Sequence, residues 1–268
     1  MSRIAATFKN LKQNNRKALI PFITAGDPDQ AMTILLMHEL VNVGADIIEL
    51  GVPFSDPMAD GATIQRSYER ALKHNISLEN VLEIVAEFRK TDTETPVVLM
   101  GYANPIEAIG VDNFISLIKE AQIDGVITVD YPPEESKEFV KRLNEEEIDS
   151  IFLLSPTTED ERIKLIAKQA SGFLYYVSLK GVTGAANIDI NQVSENVKNI
   201  QKYSDLPIAV GFGVRDPKTA KAVSKISDGV VILRQLAWIR VAPFGMITLS
   251  AKRATPLFVS CSQQPLGR

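Results

Sequence analysis

Eight short apolar, β-rich runs recur along this chain at roughly 25-residue intervals, separated by segments with helical spacing. They are Ala18–Thr24, Ile47–Gly51, Pro96–Gly101, Gly125–Val129, Ser150–Leu154, Phe173–Ser178, Pro207–Gly211 and Gly229–Ile232. Most are continuous rather than alternating, the pattern of strands buried on both faces. Between them, Leu78, Val81, Leu82, Val85 and Phe88 form one helical stripe behind Ser77 as N-cap, and Phe114, Leu117, Ile118 and Ala121 another. Thr158 with Glu161 three residues on predicts a capping box before Ile163, Ile166 and Ala167. Val193, Val197 and Ile200 form a further stripe, and Asp216-Pro217 supplies an N-cap and first-turn Pro for the helix after the seventh run. Eight strands alternating with helices predict an α/β fold, a (β/α)8 TIM barrel, over an open doubly wound sheet. An extra N-terminal helix with Ile4, Phe8 and Leu11 on one face is expected to close the barrel's bottom.

The 268 residues, 45% apolar and 23% charged, suit a soluble globular protein with one large domain or two small ones. A net charge of −4 gives no reason to expect nucleic acid or an anionic membrane as partner. The longest uncharged run, Ala254 to Gly267, falls short of the roughly 20 residues that span a bilayer. Basic residues from Arg3 to Lys17 interrupt the N-terminus, so no secretory signal is expected, and a single cysteine, Cys261, suits a reducing compartment. The cytoplasm is the expected location.

Barrel chemistry belongs where strands end and loops begin at the C-terminal face. The second run continues into Gly51-Val52-Pro53-Phe54-Ser55-Asp56-Pro57-Met58-Ala59-Asp60-Gly61. Glu49 lies inside the apolar run, where a charge is costly to bury unless it is paired or protonated, and Asp60 follows an irregular loop. Two carboxyls facing one another across a loop are suited to general acid/base work. Gly181-Val182-Thr183-Gly184 and Gly211-Phe212-Gly213, after the sixth and seventh runs, are Gly-rich turns that let backbone N–H groups approach a phosphate. Phe22, Ile64, Met100, Tyr102 and Phe212 would give such a site apolar and aromatic walls, with Val129 and Tyr175 at neighbouring strand ends. His38 and His74 lie in helical segments without Cys or paired acids at ligand spacing and read as surface or packing residues, so no metal site is expected. Glu134-Glu135 and Glu145-Glu146-Glu147 read as solvated charge flanking a helix.

Pro21 to Pro28, Glu49 to Gly61, Met100-Gly101-Tyr102-Ala103-Asn104-Pro105, Gly181 to Gly184 and Gly211 to Gly213 together resemble the tryptophan synthase alpha chain family, over roughly residues 3 to 232. The resemblance implies retro-aldol cleavage of indole-3-glycerol phosphate to indole and glyceraldehyde 3-phosphate. It implies Glu49 and Asp60 as the catalytic pair. Phe22, Ile64, Met100, Tyr102, Val129, Tyr175, Thr183 and Phe212 then contact substrate, and Gly184 and Gly213 hold its phosphate. It also implies a beta-chain partner in an alpha2beta2 tetramer, docked around Pro53, Asp56, Pro57 and the Asn104-Pro105 turn. No cofactor is expected on this chain; pyridoxal phosphate belongs to the partner.

The resemblance stops after Ile232, dividing the chain into a barrel over residues 1–232 and an atypical tail over 233–268. Where the family has Gly-Ser opening a short helix, this chain has Leu233-Arg234. The tail holds none of the 33 acidic residues and five of the 29 basic ones, leaving 33 acids against 24 bases upstream. Its lone Trp and Cys and lack of a helical stripe suggest a tail out of register with the gene; a divergent but genuine C-terminus is the alternative. Two other readings of the chain compete: an impaired alpha chain that still activates its beta chain, and another phosphate-binding barrel isomerase.

Overall fold

The computed structural model describes residues 1–178, 189–211, 214 and 216–232, together with the backbone of 240–241 and 247–248. Helix α1 (Arg3–Gln13) precedes β1 (Ala18–Thr24), α2 (Gln30–Asn42), β2 (Ile48–Gly51), α3 (Ala62–Leu72), α4 (Leu78–Arg89) and β3 (Val97–Gly101). Then come α5 (Ala103–Ile109), α6 (Val111–Glu120), β4 (Gly125–Thr128), α7 (Lys137–Glu145), β5 (Asp149–Ser150) and β6 (Phe152–Leu154). The barrel ends with α8 (Asp160–Gln169), β7 (Leu174–Val177), α9 (Ile190–Ile200), β8 (Ile208–Gly211), α10 (Pro217–Val223) and β9 (Gly229–Ile232). In the tail, β10 (Arg240–Val241) pairs antiparallel with β11 (Ile247–Thr248).

The barrel strands are all parallel and run in the order β5-β4-β3-β2-β1-β9-β8-β7-β6. The fifth apolar run is broken at Ile151, and the break is what joins the ring. Its first half pairs with β4 and its second with β7, while Ile151 N–H donates to the Val126 carbonyl at 3.0 Å. Runs that read as continuously apolar are buried on both faces, as β2 is along its whole length. One face fills the barrel interior with Ile20, Phe22, Ile47, Val98, Met100, Ile127, Tyr175 and Val231. The other packs against the helices, for example Ile48, Leu50 and Leu99 with Val81, Val85 and Phe88.

Helix α1 closes the bottom as expected. Ile4, Phe8 and Leu11 are buried in the interior cluster, and the Phe8 and Phe173 rings lie 5.7 Å apart. Four aspartates at strand starts line the same end. Asp46 accepts from Leu19 N–H at 2.9 Å, Asp124 from Val97 N–H at 2.8 Å, and Asp228 from Ile208 N–H at 3.1 Å. Each thereby satisfies the first free N–H of a neighbouring strand. Asp149 accepts from the Ser2 hydroxyl at 2.6 Å, tying down the chain's start. Arg89, only 5% exposed, binds Asp124 at 2.7 Å and the carbonyls of Thr95 and Gln122.

The helix caps correct one expectation. Helix α8 starts behind Glu159 with no side-chain cap, because the Thr158 hydroxyl accepts from Ser155 N–H at 3.0 Å in the preceding turn. The capping box forms instead at Ser77 and Asn80. Asp216 caps α10 through Thr219 N–H at 2.7 Å, with Pro217 in the first turn, as the sequence predicts. His38 packs on Phe88 with ring centroids 4.8 Å apart, and His74 is exposed.

Candidate active site

Strand β2 carries Glu49 in register between Phe22 of β1 and Val98 of β3. Its neighbours are apolar, it is 1% exposed, and neither carboxyl oxygen has a hydrogen-bond partner among the described residues. An ionised carboxylate so placed would forfeit its hydration without compensation. Burial, reinforced by the charge of Asp60, therefore pushes the Glu49 pKa from its ordinary 4.5 up to about 8.

Asp60 closes the loop that leaves β2 and sits just before Gly61, the N-cap of α3. It is 4% exposed, and the Tyr102 phenol donates to its Oδ2 at 2.6 Å. Burial raises its pKa, and the Tyr102 hydrogen bond opposes that rise. Tyr102 also accepts from Ala59 N–H at 3.1 Å and stacks on Phe54 with centroids 5.2 Å apart. Gln65 Nε2 donates to the Asp60 carbonyl at 2.8 Å. The loop that carries the second carboxyl is thus held at three points by its own surroundings.

Phe22, Ile64, Met100, Tyr102 and Tyr175 are all buried and belong to one interior cluster, against which Val129 packs half-buried. Gly51 and Gly211 make room for this mouth. A Cβ at Gly51 would stand 2.5 Å from the Phe22 ring, and one at Gly211 would stand 2.2 Å from the Tyr175 hydroxyl. Gly211 is thus a strand residue that clears space for an aromatic side chain. Thr183, Gly184, Phe212 and Gly213 lie outside the described residues.

The residues expected to meet a partner differ from expectation in two places. Ser55, Asp56 and Met58 are exposed and Pro57 is half-buried, but Pro53 is buried, because the chain is still leaving the barrel there. Asn104 and Pro105 form no turn; they lie in the first helical turn of α5, with Asn104 exposed.

Sequence reasoning missed Tyr68. Ile64, Ser67, Tyr68 and Ala71 line the buried face of α3, and Tyr68 is 1% exposed among the residues of the mouth. Burial raises its phenol pKa well above the ordinary value, followed by the nearby charges of Asp60, Tyr102 and Glu49. The signal was the i, i+3, i+4, i+7 spacing after Asp60, which aims the helix face inward.

A parallel barrel whose C-terminal mouth holds a buried carboxyl of raised pKa, with a second buried carboxyl close enough to act on it, has the arrangement of a barrel enzyme of acid/base type. The comparisons then fix the family. The model for the tryptophan synthase alpha chain matches residues 8–237. The alpha chain of Herminiimonas arsenicoxydans is 62% identical over 232 residues, covering 87% of this chain and 88% of that one. The structure of the alpha subunit from Legionella pneumophila str. Paris superposes with a TM-score of 0.82 at 47% identity, covering 88% of each chain. A chain in the tryptophan synthase complex from Pyrococcus furiosus gives a TM-score of 0.75 at 39% identity, over 83% of this chain and 89% of that one. The chain belongs to the tryptophan synthase alpha chain family, lyases that cleave indole-3-glycerol phosphate in tryptophan synthesis. Among the described residues no helix is long and apolar enough to cross a membrane, and no group of three His, Cys, Asp or Glu is placed to hold a metal.

Proposed function

We propose that this chain performs the family's cleavage with Glu49 as acid and then base, and Asp60 as the partner of the indole N–H. The observation that carries the reading is the unpaired Glu49 carboxyl, kept protonated at neutral pH with Asp60 across the mouth. Breaking the bond from indole C3 to the glycerol carbon would expel a poor carbanion, so C3 is protonated first. A carboxyl protonated up to about pH 8 is the acid that step needs. The positive charge that then develops on the ring is met at N–H by Asp60, whose charged form the Tyr102 hydrogen bond favours. Once ionised, Glu49 takes the glycerol hydroxyl proton as the carbon–carbon bond opens. Indole and glyceraldehyde 3-phosphate leave, and Glu49 is protonated again.

Phe22, Ile64, Met100, Tyr102, Val129 and Tyr175 supply the walls for a flat bicycle, and the resemblance adds Thr183 and Phe212 to the substrate contacts. The phosphate rests on the backbone N–H groups of Gly184 and Gly213. The third arm of that site is weakened, because Leu233-Arg234 stands where the family has Gly-Ser. The partner is a beta chain carrying pyridoxal phosphate, in an alpha2beta2 assembly in the cytoplasm; this chain needs no cofactor of its own. Docking falls on the exposed Asp56, Met58 and Asn104.

The test is indole release from indole-3-glycerol phosphate by the isolated chain, with and without a matching beta chain. Indole formation that rises with the partner and disappears in Glu49→Gln supports the reading. A chain that forms no indole yet accelerates the beta chain would be a docking subunit instead.

A further inference from the structure

We propose that Tyr68 is a positioning residue for proton transfer: its phenol is the donor that receives the Glu49 carboxylate once that group has released its proton. The inference rests on the reading of Glu49 given above and adds what happens to the carboxylate after the first step.

Both Glu49 oxygens are buried and unpartnered, which is tolerable for a neutral acid and costly for an anion. The reaction makes that anion inside the barrel, so a donor must stand within reach. Asp60 offers none in its ionised form. The Tyr102 phenol is committed, donating to Asp60 and accepting from Ala59 N–H. The Tyr175 phenol also faces Glu49, but it is packed tightly against Gly211.

Tyr68 is differently placed. Residues two apart on a strand face the same way, so Glu49 and Gly51 both point into the barrel. The Tyr68 hydroxyl lies 3.2 Å from where a Gly51 Cβ would stand, one pleat above Glu49. None of the hydrogen bonds among the described residues uses that hydroxyl, although a buried tyrosine ordinarily finds a partner. The Glu49 side chain has three torsions, and its charge already acts on the Tyr68 phenol.

The groups facing Glu49 are Asp60 from the loop, Tyr68 from α3 and Tyr175 from β7, with Tyr102 behind Asp60. Burial and these neighbours hold the Tyr68 proton in place, so it stays a donor over the working range of pH. Because Tyr68 stands on the helix that Asp60 leads into, movement of the Asp60 loop would also move the donor.

Tyr68→Phe keeps the ring and removes only the hydroxyl. It should be measured in the full chain with a matching beta chain, by two readouts. In steady-state indole release, kcat should fall about tenfold with KM for indole-3-glycerol phosphate unchanged, the loss expected for one hydrogen bond to a charge. In infrared difference spectra against Glu49→Gln, the carbonyl band of protonated Glu49 should persist to higher pH in Tyr68→Phe than in the unmodified chain. An unchanged kcat with an unchanged titration overturns the proposal. So does a rise in KM alone, which would make Tyr68 a wall of the substrate site. If the unmodified complex forms no indole, the functional reading fails by itself, while the carbonyl titration still decides the role of Tyr68.

Discussion

Asp124 at the bottom of the barrel is 5% exposed and Glu49 near its top is 1% exposed, yet their bonding is opposite. Asp124 accepts from Val97 N–H, Arg89 and Arg3, so both oxygens that burial takes from water are paired by the protein. Glu49 accepts from nothing among the described residues. The difference separates a carboxylate that holds strands in place from the carboxyl proposed to be kept neutral for chemistry. Substitutions at the two ends should therefore fail in different ways.

The largest effect is expected at the top and on rate. Glu49→Gln and Asp60→Asn should each lower indole formation by about 10² to 10⁴, the usual worth of a positioned acid or base, with far-UV circular dichroism unchanged. Near-normal turnover in Glu49→Gln would remove the acid/base assignment. At the bottom, Arg89→Met should leave Asp124 buried without its main counter-charge. Breaking one side of such a pair costs about 3–5 kcal/mol, read as a lowered urea midpoint, while turnover per folded molecule should hold.

Stability against pH separates the ends again. The folded pKa of Glu49 lies above its unfolded value, so the native state binds more protons between about 4.5 and about 8. Stability from this group is full below that window and is lost as pH rises through it. Glu49→Gln should flatten the decline by up to a few kcal/mol. An equally steep decline in both proteins would place the titrating group elsewhere.

The barrel was legible because buried parallel strands are written as apolar runs, and Glu49 because a charge interrupts one of them. The broken fifth run was not, since Ile151 is apolar like its neighbours and only pairing on both sides reveals the break. The strand-start aspartates look like turn residues until the neighbouring strand's free N–H groups come into view. Tyr68 hid for a similar reason: on α3 it is one more core position, and its place at the mouth depends on Gly51, which is distant in sequence and carries no side chain. The Thr158 capping box failed because its hydroxyl had a nearer donor in Ser155.

A smaller effect concerns the tail. Leu233→Gly with Arg234→Ser and a family-like final helix should lower KM for indole-3-glycerol phosphate about tenfold, as two restored backbone bonds to phosphate would. Binding of glycerol phosphate should improve in parallel. Equal values in both proteins would mean that residues 233–268 are a genuine working end of the chain.

The smallest difference sharpens the comparison most, because it sets one hydrogen bond at each end side by side. Tyr102→Phe removes the 2.6 Å bond to Asp60 while keeping the ring that stacks on Phe54. That bond is the influence holding the Asp60 pKa down against burial, so without it the pKa rises further. In the proposed mechanism Asp60 is ionised at the indole N–H, so the acid limb of kcat/KM should move to higher pH. The shift is bounded by the roughly 1.5–3 kcal/mol a hydrogen bond to a charge is worth. Asp46→Asn at the bottom is the control. Its oxygen can still accept from Leu19 N–H, so stability should change by about 1 kcal/mol or less and the pH–rate profile should not move. If Asp46→Asn displaced the acid limb as far as Tyr102→Phe, the two ends would be electrostatically coupled through the barrel, and the division between structural and chemical carboxyls would have to be given up.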